Sequence, residues 1–128
     1  MSGIKSVDNS LAVLDPVPME EAFGEIDEMA VDTYRLFLSS TEPMLAEIRA
    51  HLHAGKGELA TDIAHSAKGA ARMTGAFRLA AVYAHIETDS KQGDLSSALE
   101  WAALVPPAFE EVRQAIGGVA RGLNLPFA

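Results

Sequence analysis

The segment from Leu59 to Glu87 contains the residues whose types and spacing are best suited to chemistry. It is dense in small residues and carries His65 on the side that is predicted to face water. At about 100° per residue, a helix would gather a polar set on one face and an apolar set on the opposite face. The polar set is Glu58, Thr61, Asp62, His65, Lys68, Gly69 and Arg72, and the apolar set is Ala60, Ile63, Ala67, Ala70 and Thr74. His65 is therefore predicted to lie at the centre of an exposed polar stripe.

Two neighbours of His65 suit a histidine that meets another macromolecule. Gly69, one turn later on the same face, costs a helix interior about 1 kcal/mol relative to alanine and is tolerated mainly where something must come close. Lys68 places an ammonium group where it could lie beside phosphoryl oxygens. A nucleophilic nitrogen, a nearby cation and an open approach are what phosphoryl transfer through histidine requires. An exposed imidazole is mostly neutral near pH 7 and keeps a lone pair for attack, so no dedicated general base is needed.

This stretch resembles the histidine-containing phosphotransfer (HPt) domains of multistep two-component signalling. The residues at the family's spacing are His65, Lys68, Gly69, Ala70, Ala71, Gly75, Leu79, Ile86 and Glu87. Two positions depart from the family's pattern. Ala67 stands where a larger aliphatic residue is usual, and Thr74 stands where an aliphatic residue mostly precedes the glycine. Both fall on the predicted buried side, so the departures concern packing more than chemistry.

The resemblance implies a phosphorelay intermediate that has no kinase activity of its own. His65 would accept a phosphoryl group from an aspartyl phosphate on one response-regulator receiver domain and pass it to the aspartate of another. The receivers would be free or fused to a hybrid histidine kinase. Lys68 would temper the phosphoryl charge, and Gly69 would let the receiver approach. The expected receiver contacts are Thr61, Asp62 and Arg72. The receiver would supply Mg²⁺, so the chain is expected to have no cofactor or metal of its own.

Other readings of these residues remain open. Composition and facing alone favour an ordinary surface histidine at position 65, and only the matched spacing reverses that preference. A degenerate docking or adaptor module of the same fold would bind a receiver without transfer, although the intact His65 and Lys68 argue against it. A histidine kinase fragment is a further alternative. However, the residues after His65 are not the kinase dimerisation motif, and the chain has no glycine-rich ATP-binding segment.

The spacing of the remaining histidines does not indicate a metal site. His51 and His53 are expected to face solvent, and His85 is expected to lie at the boundary of the core. Bundles with carboxylate metal centres use Glu-x-x-His pairs, and the chain has none. Met73 and Trp101 are predicted to be partly buried.

The composition of the chain limits the number of domains, the chemistry and the partners that can be expected. The 128 residues suffice for one domain with a single core, and the absence of cysteine excludes disulfides and thiolate chemistry. A net charge of −8 argues against binding to nucleic acid or to an anionic membrane. Basic residues are nevertheless predicted to gather near His65, namely Lys68, Arg72 and Arg78. No apolar run approaches the roughly 20 residues of a membrane span, so a cytoplasmic location is expected, and a monomer is expected as well.

Apolar residues recur at helical spacing throughout, and no segment shows sustained alternation. We therefore predict an all-α fold, an antiparallel up-and-down four-helix bundle with short N-terminal leader helices packed over one end. Residues 1–18 are expected to form an irregular leader, and 19–128 the helical bundle domain. Ser40 and Thr41 are expected to cap the helix that contains Pro43, and Asp94 a later one. Gly75 should end the central helix in a left-handed cap, and Pro106 with Pro107 should break or kink the chain. The other predicted helices span 19–23, 26–38, 58–74, 76–91, 95–104 and 108–121.

Overall fold

The computed structural model describes residues 4–127, and every regular element in this range is an α-helix. The helices are α1 (Val17–Phe23), α2 (Glu28–Thr41), α3 (Met44–His53), α4 (Gly57–Thr74), α5 (Phe77–Lys91), α6 (Leu95–Ala102) and α7 (Val105–Gly122). Glu42 and Pro43, which join α2 to α3, keep right-handed helical backbone angles. Ala103 and Leu104, which join α6 to α7, do the same. Helices α2 and α3 therefore form one rod, and helices α6 and α7 form another.

Four rods make the bundle: α2–α3, α4, α5 and α6–α7. Each rod packs against the next along the chain, and the last rod returns to pack against the first. Short connections make consecutive rods antiparallel. Helix α1 lies across α4 and α2. The structure thus confirms the predicted all-α, antiparallel up-and-down four-helix bundle with a leader helix packed over it.

Small residues on the inner side of α4 bring its neighbours close. Ala60, Ala64, Ala67 and Ala71 recur at three- and four-residue spacing, and all four are completely buried. At the start of the helix, a Cβ atom on Gly57 would lie 2.9 Å from the backbone oxygen of Ser90 on α5. Alanine at position 67, where the HPt family usually has a larger residue, belongs to this close-packed seam.

The turn between α4 and α5 is held by the leader. Gly75 has a φ of +93° and ends α4 in the left-handed conformation, as predicted. Its carbonyl accepts a 2.9 Å hydrogen bond from the backbone N–H of Asp15. A Cβ atom on Gly75 would lie 2.0 Å from the Asp15 carbonyl oxygen, so only glycine fits. The Arg78 backbone N–H donates to Ala12 at 3.0 Å, which fixes the leader on the bundle.

Two predicted helix boundaries were wrong. Thr41 does not cap α3, because it is buried in the last turn of α2 and its hydroxyl donates to the Phe37 carbonyl at 2.7 Å. Ser40 is also within α2, and α3 begins without a side-chain cap. Pro106 and Pro107 do not precede α7 but lie in its first turn, where a missing N–H costs no hydrogen bond. Asp94 caps α6 as predicted, because its carboxylate accepts from the Ser97 N–H at 3.1 Å.

Candidate functional site

His65 lies in the middle of α4 and is turned to solvent. Its side chain is 69% exposed, and Asp62 and Arg72 are also exposed on this helix. Thr61 is half-buried, and its hydroxyl donates to the Gly57 carbonyl at 2.8 Å. The exposed polar stripe predicted from helical spacing is therefore present, with His65 near its centre.

A carboxylate on the neighbouring helix joins His65 to Lys68. Glu87 Oε2 lies 2.6 Å from His65 Nδ1, and Glu87 Oε1 lies 2.5 Å from Lys68 Nζ. The Glu87 side chain is 20% exposed and that of Lys68 is 16% exposed, so both are mostly shielded from water. Helix α5 thus supplies a carboxylate that contacts both the His65 and the Lys68 side chains of α4.

The charge on Glu87 determines which imidazole nitrogen is free. Partial burial by itself would raise the pKa of Glu87, but the hydrogen bonds from Lys68 and His65 outweigh it, and the pKa is lowered. An ionised carboxylate only accepts hydrogen bonds, so the Nδ1 atom of His65 must be the donor. A neutral ring then carries its proton on Nδ1 and its lone pair on Nε2. The arrangement presents a nucleophilic nitrogen to solvent.

The approach to His65 is open at Gly69. A Cβ atom built on this glycine would meet no atom within 4 Å. Close packing of helices therefore does not account for the glycine, because a side chain here would project into free space. A side chain at position 69 would instead occupy the open space beside His65, which lies one helical turn earlier on α4.

An apolar groove lies between α1, α2 and α4, on the side of α4 that carries Ala70, Met73 and Thr74. It encloses about 390 Å³, and the residues that line it include Phe23, Leu36, Met44, Ala70, Met73 and Thr74. Leu36 is 64% exposed and Met73 is 78% exposed. The prediction that Met73 is partly buried was wrong, because its side chain projects from the groove rather than into the core. Thr74 is buried, and its hydroxyl donates to the Ala70 carbonyl at 2.5 Å.

Arg78 does not join the basic residues near His65, contrary to the prediction. Its Nε donates to the Leu11 carbonyl and its Nη2 to the Asn9 carbonyl, both at 3.1 Å. Its Nη1 lies 3.3 Å from Glu111 Oε2. The leader therefore takes up this guanidinium, and the cations on the His65 face are Lys68 and Arg72.

The other histidines lie apart from this site. His53 is exposed and His51 is half-buried. His85 is exposed, and its ring stacks on that of Trp101, with centroids 3.9 Å apart and planes 4° from parallel. Among residues 4–127, no three His, Cys, Asp or Glu side chains are grouped so that they could hold a metal ion. No helix in the same range is long and apolar enough to cross a membrane.

Glu87 lies at the HPt family's spacing in the sequence, but the sequence alone predicts no role for it. The residue lies 22 positions from His65, so no local pattern links the two. The available signal was the polar position of Glu87 on a helix predicted to pack antiparallel to α4. That signal does not fix which residues lie side by side, because the axial register of two helices depends on their packing.

Comparison with known proteins assigns the chain to a family. The family model of the Hpt domain matches residues 32–120, and the chain therefore belongs to the HPt domain family. Proteins of this family are phosphocarriers rather than kinases, and they interact with receiver domains in two-component phosphorelays.

A solved structure gives the same class. The chain is similar to histidine-containing phosphotransfer protein B (HptB) from Pseudomonas aeruginosa PAO1, with a TM-score of 0.73 and 25% sequence identity. The alignment covers 86% of this chain and 96% of that one. No curated protein matches the chain.

Proposed function

We propose that the protein is a phosphorelay intermediate in which His65 carries the phosphoryl group on Nε2. It would accept the group from the aspartyl phosphate of one receiver domain and pass it to the aspartate of another. The observation that carries the proposal is the 2.6 Å contact between Glu87 Oε2 and His65 Nδ1 on an imidazole that is 69% exposed. This contact holds the proton on the inner nitrogen and leaves the outer nitrogen free to react.

The transfer requires no movement of a proton within the bundle. The Nε2 lone pair attacks phosphorus, an N–P bond forms, and the bond between phosphorus and the donor's aspartate oxygen breaks. The released electron pair stays on the donor's carboxylate. The imidazole keeps its Nδ1 proton and becomes cationic, and the Glu87 carboxylate stabilises that charge. When the acceptor's aspartate attacks phosphorus, the electron pair returns to Nε2 and the ring leaves as a neutral imidazole.

Lys68 is placed to support the phosphoryl group. Its ammonium has three donors, and only one is needed for the 2.5 Å contact with Glu87 Oε1. The remaining donors are available to phosphoryl oxygens on the adjacent imidazole. We assign the Mg²⁺ ion to the receiver, so that the bundle contributes a nucleophile and a cation while the partner contributes the metal.

The receiver would dock over His65 and the surface around it. Gly69 leaves the approach open, and the polar contacts would come from Thr61, Asp62 and Arg72. The exposed apolar side chains of Leu36 and Met73 extend this surface into the groove beside α4. Exposed apolar side chains gathered at a groove are typical of interaction sites. Together with the polar residues around His65, they would form a modest and transient interface.

Transfer of label tests the proposal. Receiver domains are phosphorylated with ³²P-labelled acetyl phosphate, freed of excess reagent and mixed with the wild type, His65→Gln or His85→Gln. Label should reach the wild type and His85→Gln but not His65→Gln, and circular dichroism should show that all three are folded. Binding of receivers without any transfer would favour the docking module, and labelling from ATP alone would favour a kinase.

A further inference from the structure

Charges on the exposed side of α4 are separated along the helix axis. Glu58 and Asp62 precede His65 and are exposed, whereas Arg72 follows it and is exposed. At a rise of about 1.5 Å per residue, Asp62 lies about 4.5 Å before His65 and Arg72 about 10.5 Å after it. His65 therefore lies between an acidic end and a basic end of the same surface.

These charges are free to meet a partner. Within residues 4–127, Glu58, Asp62 and Arg72 take part in none of the six ion pairs. Lys68, in contrast, is held by Glu87. Unpaired surface charges contribute little to the stability of a fold, but they steer association and penalise partners that present like charge.

The apolar part of the surface makes the asymmetry stronger. Met73 directly follows Arg72 and is 78% exposed at the edge of the groove. The basic end of the α4 face is thus continuous with an apolar surface. The acidic end has no such neighbour except Leu59, which is 45% exposed. A partner centred on His65 therefore meets different chemistry in the two directions along α4.

We propose that Asp62 and Arg72 determine which receivers dock and in which orientation. The favoured receiver carries a basic side chain opposite Asp62 and an acidic side chain opposite Arg72, with its phosphorylated aspartate over His65. A receiver with the reverse charges meets like charge at both ends and is rejected. This inference rests on the proposed function, because the partner is the receiver with which His65 exchanges the phosphoryl group.

Charge reversal tests the two residues. Receivers are treated with beryllofluoride, and the one that binds the wild type most tightly is chosen. Its binding to the wild type, Asp62→Lys, Arg72→Glu and the double variant is then measured at low and high salt. Each single reversal should weaken binding at low salt by about tenfold, mainly through slower association, and the loss should shrink at high salt. The double variant should prefer a different receiver from the same set.

A matched reversal on α7 provides the control. Arg121→Glu changes the net charge by the same amount as Arg72→Glu, and Arg121 is likewise exposed and in none of the six ion pairs among the described residues, but α7 packs mainly against α2 and α5. This variant should bind the receiver as the wild type does. Binding that is unchanged by reversal at positions 62 and 72, or equally weakened by the α7 reversal, would overturn the inference. Weaker binding at those two positions in a protein that accepts no phosphoryl group would support the inference and overturn the proposed function instead.

Discussion

His65 and His85 are both exposed histidines on rods of one bundle, but their surroundings differ. His65 meets a carboxylate through Nδ1 and has Lys68 bound to the same carboxylate. His85 lies flat against Trp101 and has no hydrogen-bond partner for its ring within residues 4–127. Exposure alone therefore does not distinguish the two rings. The distinguishing feature is a charged acceptor on the next helix that fixes one ring nitrogen and leaves the other free.

The surroundings of the two rings also differ in what covers them. Lys5 of the leader lies 5.7 Å from the Trp101 ring centroid and 3.5 Å from Glu100, so the leader reaches the His85 side of the bundle. On the His65 side, in contrast, a Cβ atom on Gly69, one turn further along the same helix, would meet no atom within 4 Å. One face is thus partly occupied by the chain itself, and the other is open to a visiting protein.

The largest effect should come from filling the space at Gly69. In Gly69→Gln we expect transfer from a phosphorylated receiver to fall by about a hundredfold, because a misplacement of about 1 Å at the reacting atoms is enough for such a loss. The fold should be retained, since glutamine is a better helix former than glycine. Gly118→Gln on α7 is the control, because Gly118 also lies within a helix and a Cβ atom there would make only an ordinary contact, 3.9 Å from Arg121 Nη2. Equal transfer rates for Gly69→Gln and Gly118→Gln would show that the open space at Gly69 is not needed for transfer.

A smaller effect should follow from neutralising Glu87. Glutamine still accepts a hydrogen bond, but a bond to a charged acceptor is stronger by about 1 kcal/mol, so transfer in Glu87→Gln should slow by about five- to tenfold. Nitrogen NMR of the imidazole should show the Nδ1-protonated ring of the wild type giving way to a mixture. A ring with the same tautomer in both proteins would show that the carboxylate does not set it.

The same substitution has a consequence for stability against acid. Because the pKa of Glu87 is lowered in the folded protein, its stabilising contribution is complete above the unfolded value of about 4.3 and is lost as pH falls through the lower folded value. The wild type should therefore melt above Glu87→Gln at pH 7, and the gap should narrow as the pH is lowered below the unfolded value and through the lower folded pKa. Glu21→Gln on α1 serves as the control. A gap that stays constant with pH would contradict the ion pairs described for Glu87.

The smallest effect should come from His85. Removal of its ring in His85→Ala takes away a stacked pair with Trp101, which we expect to lower the free energy of unfolding by about 0.5–1.5 kcal/mol. Denaturant unfolding followed by far-UV circular dichroism measures this loss. Transfer through His65 should remain at the wild-type rate. A clear loss of transfer would show that the two faces of the bundle are coupled.

Local signals predicted much of the fold. Helical spacing placed His65 on the exposed side of α4, Gly75 was recognised as a left-handed cap, and Asp94 as an N-cap. The misassigned caps at Ser40 and Thr41 have a physical cause. A threonine can hydrogen-bond back into its own helix as readily as it caps the next, and burial of Thr41 favours the first.

Contacts between distant segments could not be predicted from local signals. The pairing of Glu87 with His65 depends on the axial register of α4 and α5, and the capture of Arg78 depends on where the leader's carbonyls lie. The exposure of Met73 has the same origin, because an apolar side chain is buried only if a neighbouring element covers it. The position of His65 on the exposed side of α4, close to Lys68 and Gly69, was therefore predictable from the sequence, but the contacts of the Glu87 carboxylate with His65 and Lys68 were not.

The close contact between Gly57 and the backbone of Ser90 links the reactivity of the histidine to a position about 12 Å along α4. Any larger residue at 57 would wedge the first turn of α4 away from the last turn of α5 and carry Glu87 with it. The contact between Glu87 and the His65 ring thus depends partly on a residue that touches neither of them. A substitution at such a packing contact between two helices would then alter the rate of phosphoryl transfer, even if His65, Lys68 and Glu87 stayed the same.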